Sequence, residues 1–146
     1  MELCELGLDN IEEIKKIFLK IFSAEPWNDC WEDKQLHQYI LELIGNSNSL
    51  SFGLYEGGTL IGISLGRIKH WCQGTEYWID EFGILPEMQG QGFGSEFLKE
   101  IERALVKKGI PAIVLLTERT VPAYRFYQKC GFQEQEEQVL FAKAIY

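Results

Sequence analysis

The sequence predicts an α/β (α+β) chain with the element order βααβββαβαββ, and three observations carry that prediction. Apolar residues recur at helical spacing in three stretches, and strand-length apolar runs lie between them. Turns rich in glycine, proline or asparagine separate these segments. At 146 residues, with 46% hydrophobic and 13% aromatic content, the chain can bury a sizeable core and lacks the composition of a disordered polymer. One domain over residues 1–146 is expected, without repeat, linker or low-complexity segment.

Residues 2–6 read as a short strand. Asp9-Asn-Ile-Glu12 has capping-box spacing, and the helix it opens places Ile14, Ile17, Phe18, Ile21 and Phe22 on one face. A polar loop bearing two tryptophans follows, Ala24 to Trp31. The second helix carries Leu36, Tyr39, Ile40, Leu43 and Ile44 at 3.6-residue spacing. After a loop at Asn46–Ser49, strands over about 50–56 and 59–68 meet at Glu56-Gly-Gly-Thr59, a hairpin turn. A strand-like run from Tyr77 to Leu85 is closed by Pro86. Gln89-Gly-Gln-Gly-Phe-Gly94 comes next, and Ser95 opens a helix whose buried face is Phe97, Leu98, Ile101 and Leu105. Ala112–Thr117 is a continuous apolar run of buried-strand length. Pro122 suits the first turn of the last helix and Gly131 the position just past its end. The tail from Phe132 to Ile145 reads as a closing hairpin.

A strand that runs into a glycine loop and then a helix start is a built anion site. Loop and first-turn amides lack intrahelical partners, and the helix dipole adds partial positive charge there. Glycine permits positive φ and lets a phosphate approach backbone without meeting a Cβ. The chain has a formal charge of −8, so a phosphate cradle made of backbone points to a small phosphate-bearing ligand rather than a polyanion. No glycine precedes Lys-Ser or Lys-Thr, which excludes a P-loop. Counting from Gly90, the sixth position is Ser95, which excludes the dinucleotide fingerprint.

The spacing that fits is Gln89-x-x-Gly92-x-Gly94 after the strand ending Ile84-Leu-Pro86. It resembles the cofactor motif Arg/Gln-x-x-Gly-x-Gly/Ala of the GNAT acyltransferase superfamily. Thr120 to Phe132 resembles the second signature of that superfamily, Asn-x-x-Ala-x-x-x-Tyr-x-x-x-Gly-Phe, with Ala123, Tyr127, Gly131 and Phe132 in register. One departure is Thr120 in place of asparagine. Threonine can cap a helix and accept a hydrogen bond but cannot donate as an amide does. The two signatures span residues 77 to 132. The resemblance implies the GNAT fold, a mixed, mostly antiparallel sheet with helices on both faces. It also implies acetyl-CoA as cosubstrate, with its pyrophosphate on Gln89, Gly90, Gln91, Gly92, Phe93, Gly94 and Ser95. Phe82, Gly83 and Ile84 would line the pantetheine arm and the acetyl carbonyl, and Thr120, Ala123 and Tyr127 would complete the cofactor side. Gly83 marks a bulge or a close ligand approach.

Acetyl transfer to an amine needs a base for the ammonium, a donor for the oxyanion and an acid for the departing thiolate. The candidate bases are Glu81 and Asp80. Period-2 alternation sends them to opposite faces, so only one can point at the acceptor. Either could instead be a solvated carboxylate or an anchor for the acceptor's ammonium. Tyr127, with an ordinary phenol pKa near ~10, is the candidate acid. Its alternative is core packing, the reading preferred for Tyr124.

Charge is spread as −5 over residues 1–74 and −3 over 75–146. In the implied fold the N-terminal helices and their loop wall the acceptor groove. That loop places Glu25, Asp29, Glu32 and Asp33 beside Trp27 and Trp31. Carboxylates attract a cationic amine and indole faces stack on sugars or cations. Solvation alone, with Trp27 as a core anchor, is the plain alternative. The segment Ala24-Glu-Pro-Trp-Asn-Asp29 resembles bacterial proteins of the aminoglycoside 6′-N-acetyltransferase-like group. The charge sign disfavours nucleic acid. No apolar run reaches membrane-spanning length, and Met1–Leu6 lacks signal-peptide character. Cys4, Cys30, Cys72 and Cys130 form no Cys-x-x-Cys pair, and His37 and His70 are the only histidines, so free thiols and no metal site are expected. The expectation is a cytoplasmic enzyme, monomer or homodimer, acting on a small-molecule amine. A non-catalytic acetyl-CoA sensor or interaction module is the alternative.

Overall fold

The computed structural model describes all 146 residues, Met1–Tyr146. Two compact units divide the chain at Leu116 and Thr117.

The first unit contains β1 (Glu2–Leu6), α1 (Ile11–Phe22), α2 (Asp33–Ile44), β2 (Ser49–Glu56), β3 (Thr59–Trp71), β4 (Gly74–Ile84), α3 (Phe93–Lys107) and β5 (Ala112–Leu115). Its five strands lie in sequence order, antiparallel from β1 to β4, with β5 parallel to β4. The expected sheet is therefore present, mixed and mostly antiparallel. The β2–β3 turn has Gly57 at φ 57° and Gly58 at φ 81°, the two positive values that a right-twisted two-residue hairpin requires. β3 and β4 run further than their apolar patterns, to Trp71 and from Gly74, because a tight antiparallel ladder carries the polar tips.

Helices cover both faces. A Cβ on Gly62 would meet the Phe97 ring of α3 at 3.2 Å, whereas one on Gly83 would meet Ile21 of α1 at 2.7 Å. Pleat alternation then assigns Ser64, Gly66, Tyr77, Ile79, Phe82 and Ile84 to the α3 face. Leu65, Glu81 and Gly83 face α1 and α2. The predicted stripes bury on α1 (Ile14, Ile17, Phe18, Ile21 and Phe22) and α3 (Phe97, Leu98, Ile101 and Leu105); on α2 Leu36, Ile40 and Ile44 are buried, whereas Tyr39 and Leu43 are half-buried. Each such side chain contributes roughly 1.5–3 kcal/mol on full burial.

Asp9 does not cap α1. Residues Leu8–Asn10 form a 3-10 turn, and Asn10 Oδ1 accepts from the Gly7 N–H at 2.9 Å. A β-bulge does occur in β4, but at Asp80 rather than Gly83. Gly83 stays in register opposite Ile63 and is small because α1 packs on it.

The second unit contains α4 (Pro122–Lys129) and an irregular tail. α4 ends in a glycine C-cap. Gly131 has φ 92°, its N–H donates to Gln128 O at 3.1 Å, and the Phe132 N–H donates to Tyr127 O at 3.0 Å. The rings of Tyr127 and Phe132 lie 5.4 Å apart, the apolar contact that accompanies this cap. Tyr-x-x-x-Gly-Phe is thus the spacing of a helix terminator. The residue before the helix is Val121, not Thr120, and no side chain caps it. The two closing strands expected over 132–145 do not form. Val139, Leu140 and Phe141 have strand propensity, but they make no ladder, and Phe141 is 88% exposed.

Candidate active site

β4 is the spine of the site. β5 pairs with it only from Glu76 to Ile79, so the last five residues, Asp80–Ile84, run past the end of that parallel ladder. The chain there continues through a 3-10 turn at Pro86–Met88 into the glycine loop and α3.

The loop is held by backbone geometry. Gly90 and Gly92 sit at φ 75° and 86°, which side-chain-bearing residues rarely adopt. A Cβ at either would meet nothing within 4 Å, so conformation, not crowding, demands glycine. α3 begins at Phe93, two residues before the expected start at Ser95, with Gly92 as a left-handed N-cap and no side-chain cap. The first bond of its ladder runs from Glu96 N–H to Gly92 O at 3.1 Å, so the amides of Phe93 and Gly94 lie outside the ladder. A 15-residue helix adds its dipole at this end. Gln89 and Gln91 brace the turn, donating from Nε2 to Ile84 O at 3.0 Å and to Glu87 O at 3.1 Å. An open, uncapped helix start with two left-handed glycines fits a pyrophosphate.

The bulge decides where the carboxylates point. Leu65 pairs with Glu81 and Gly66 with Ile79, leaving Asp80 as the extra residue. The alternation expected at Asp80 and Glu81 is therefore broken, and both carboxylates lie on the α1–α2 face. Glu81 Oε1 accepts a 2.6 Å hydrogen bond from the Tyr39 hydroxyl of α2. Asp80 Oδ1 lies 3.4 Å from Arg67 Nη2 of β3, and Arg67 and Lys69 Nζ sit 5.9 and 4.0 Å from the Trp78 ring.

Burial pushes the Glu81 carboxyl above its ordinary range; the Tyr39 bond pulls it back, and the charges of Asp29 and Asp80 add to the rise. Burial also raises Asp80, against the lowering charges of Arg67 and Lys69. The Tyr39 phenol is pushed up by burial and by Glu81, so it remains a donor.

Aromatic rings wall this face. Trp31 stacks on Tyr39 at 5.1 Å, Phe18 meets Trp31 edge-on at 5.5 Å, and Trp27 lies 5.9 Å from Phe22. Both tryptophans thus pack on the helix pair and remain only partly exposed. All four loop acids are exposed, and Asp33 is also paired with Lys15 at 3.1 Å. Tyr39 was legible in the sequence only as a face residue of α2; its bond to Glu81 depends on a contact 42 positions away.

In the second unit, Tyr127 lies 5.4 Å from the Phe126 ring as well as from Phe132, Ala123 occupies the first turn of α4 and Thr120 is exposed.

The sequence matches the Acetyltransferase (GNAT) family over residues 11–132. It is 24% identical to an acetyltransferase of Yersinia pestis over 99% of this chain and 96% of that protein. A possible acetyltransferase from Clostridium difficile 630 superposes with a TM-score of 0.82 at 15% identity, covering 99% and 98% of the two chains. An aminoglycoside acetyltransferase from an uncultured soil sample, in complex with sisomicin, gives 0.78 at 15% identity over 99% and 96%. Aminoglycoside N-acetyltransferase AAC(6′)-Iy in complex with CoA gives 0.74 at 17% identity over 99% and 95%. The fold is shared, and with the family match over most of its length the chain belongs to the acetyltransferase (GNAT) family and is an N-acetyltransferase.

Proposed function

We propose that the chain transfers the acetyl group of acetyl-CoA to a primary amine of a small, cationic acceptor by direct attack on the thioester. The observation that carries this reading is the bulge at Asp80, which sets two carboxylates on one face of β4 where it outruns β5. When bound, acetyl-CoA supplies the activated acetyl group. Gln89–Ser95 would hold its pyrophosphate through backbone amides, and the β4 backbone at Phe82–Ile84 would lie along its pantetheine arm.

Glu81 is the base. Its carboxylate is bonded to a neutral donor, whereas Asp80 is engaged by a guanidinium. Asp80 then serves as an anchor for the acceptor's positive charge. The family motif gives Tyr127 the role of proton donor to the departing thiolate.

Exposed Glu25, Asp29 and Glu32, with Trp27 and Trp31 beside them, favour a cationic acceptor. A protein of this fold that holds sisomicin is consistent with that class. We read residues 1–146 as one catalytic domain.

Thiol release from acetyl-CoA across a panel of polyamines, aminoglycosides, amino acids and peptides tests the reading. The expected result is turnover with polycationic amines. Turnover confined to acidic or neutral acceptors would overturn the acceptor assignment.

A further inference from the structure

The Glu81 carboxylate does not stand alone on its strand. Tyr39 reaches it from α2, and three aromatic contacts fix where the phenol can go. Its ring stacks on Trp31 at 5.1 Å and 25° and meets Phe18 edge-on at 6.0 Å and 65°. Phe18 in turn packs on Trp31 at 5.5 Å. A ring held by two neighbours keeps its hydroxyl in one place without losing further rotamer freedom. The resulting O–H···O distance, 2.6 Å, is in the range of a charge-assisted bond to an ionised carboxylate.

We infer that Tyr39 is a positioning residue for acetyl transfer: it clamps Glu81 Oε1 from α2 and leaves the other carboxylate oxygen to take the acceptor's proton. This inference rests on the reading of Glu81 as base.

Two consequences follow from the bond. It fixes the carboxylate rotamer, so the accepting oxygen does not swing away between turnovers. It also stabilises the ionised form, because a phenol donates to a carboxylate better than to a carboxylic acid. Every other group around Glu81 acts the opposite way or at one remove. Burial and the charges of Asp29, from the tryptophan loop, and Asp80, on the same strand, favour the protonated acid. Arg67 and Lys69 of β3 act on Asp80. The α1 side chains nearest the adjacent Gly83 position are Ile21 and Phe22, both uncharged. Among these groups Tyr39 is therefore the neighbour that favours the ionised carboxylate.

The test is Tyr39→Phe, which keeps the ring and its stack on Trp31 but removes the donor. The Glu81 carboxyl is titrated directly by carbon-detected NMR, assigned with Glu81→Gln, and the pH–rate profile of acetyl transfer is measured alongside. The Glu81 midpoint should rise, and the acidic limb of the rate profile should move up in pH with it. On the acid side, a midpoint displaced upward by one on the pH scale lowers the rate about tenfold. Above both midpoints the rates should converge toward wild type, save for a loss in kcat from the freed rotamer. Tyr55→Phe removes a similar bond, 2.7 Å to Glu13, away from the site and should move neither curve. An unmoved Glu81 titration in Tyr39→Phe would overturn the inference alone. A titration that moves while the rate profile stays put would overturn Glu81 as base, and the inference with it.

Discussion

The glycine loop at Gln89–Gly94 and the tryptophan loop at Ala24–Glu32 both flank functional elements, yet they are built by opposite means. The first presents backbone. Its two left-handed glycines and an uncapped helix start are fixed by φ values that few other residues can adopt. The second presents side chains. Its tryptophans are set by packing on Phe18, Phe22 and Tyr39, and its exposed acids by nothing more than chain direction. A backbone site suits a ligand part that never changes, such as the pyrophosphate proposed for this loop. A side-chain site can be remodelled for a new acceptor without disturbing the sheet. The same contrast separates what a substitution should cost in each place.

The largest effect is expected at Glu81, on the face walled by the tryptophan loop and α2. Glu81→Gln should lower turnover roughly 10²- to 10⁴-fold near neutral pH, the usual range for a lost general base. The loss should shrink as pH rises and the amine deprotonates unaided. An unchanged pH–rate profile would move the base role to Asp80 or to a water. Stability should respond with the opposite sign. Because burial raises the folded carboxyl, the folded chain binds more protons than the unfolded one across that window, so stability falls as pH rises through it. Glu81→Gln should remove its share of that slope, read by thermal unfolding at several pH values.

A smaller effect is expected from the tryptophan loop. Neutralising Glu25, Asp29 and Glu32 together should raise KM for polycationic amines a few-fold at low salt. The difference should fade toward 1 M salt, where the Debye length is about 3 Å. Asp33 belongs in a separate variant, since it pairs with the buried Lys15 of α1. Identical, salt-independent constants would reduce these charges to a solvated surface.

These differences also explain how much could be read from the sequence. The element order as far as α4, most of the helix stripes and the hairpin at Gly57-Gly58 follow from periodicity and turn chemistry, which are local. So does the Tyr127–Phe132 terminator, because a glycine C-cap fixes its own spacing. The bulge at Asp80 was not legible: a bulge is a property of two paired strands, and only the register of β3 against β4 reveals it. Nor was the Tyr39–Glu81 bond, which joins elements far apart in the chain. The tail shows the reverse error. Val139–Phe141 has the composition of a strand, but composition does not supply a ladder.

The smallest effect is expected at Gln89, whose side chain braces the turn by a single bond to Ile84 O. Gln89→Ala should weaken CoA by about fivefold or less, in keeping with roughly 1 kcal/mol for one hydrogen bond.

The central claim is that the loop binds the cosubstrate through its backbone, and calorimetric titration of CoA into the wild-type chain and Gly92→Val tests it most directly. Wild type should bind. A β-branched residue forced to φ 86° costs about 1–2 kcal/mol, so the variant should bind roughly five- to thirtyfold more weakly while its circular dichroism stays native. A wild-type chain that ignores CoA at millimolar concentration, or a valine variant that binds it equally well, would contradict the account.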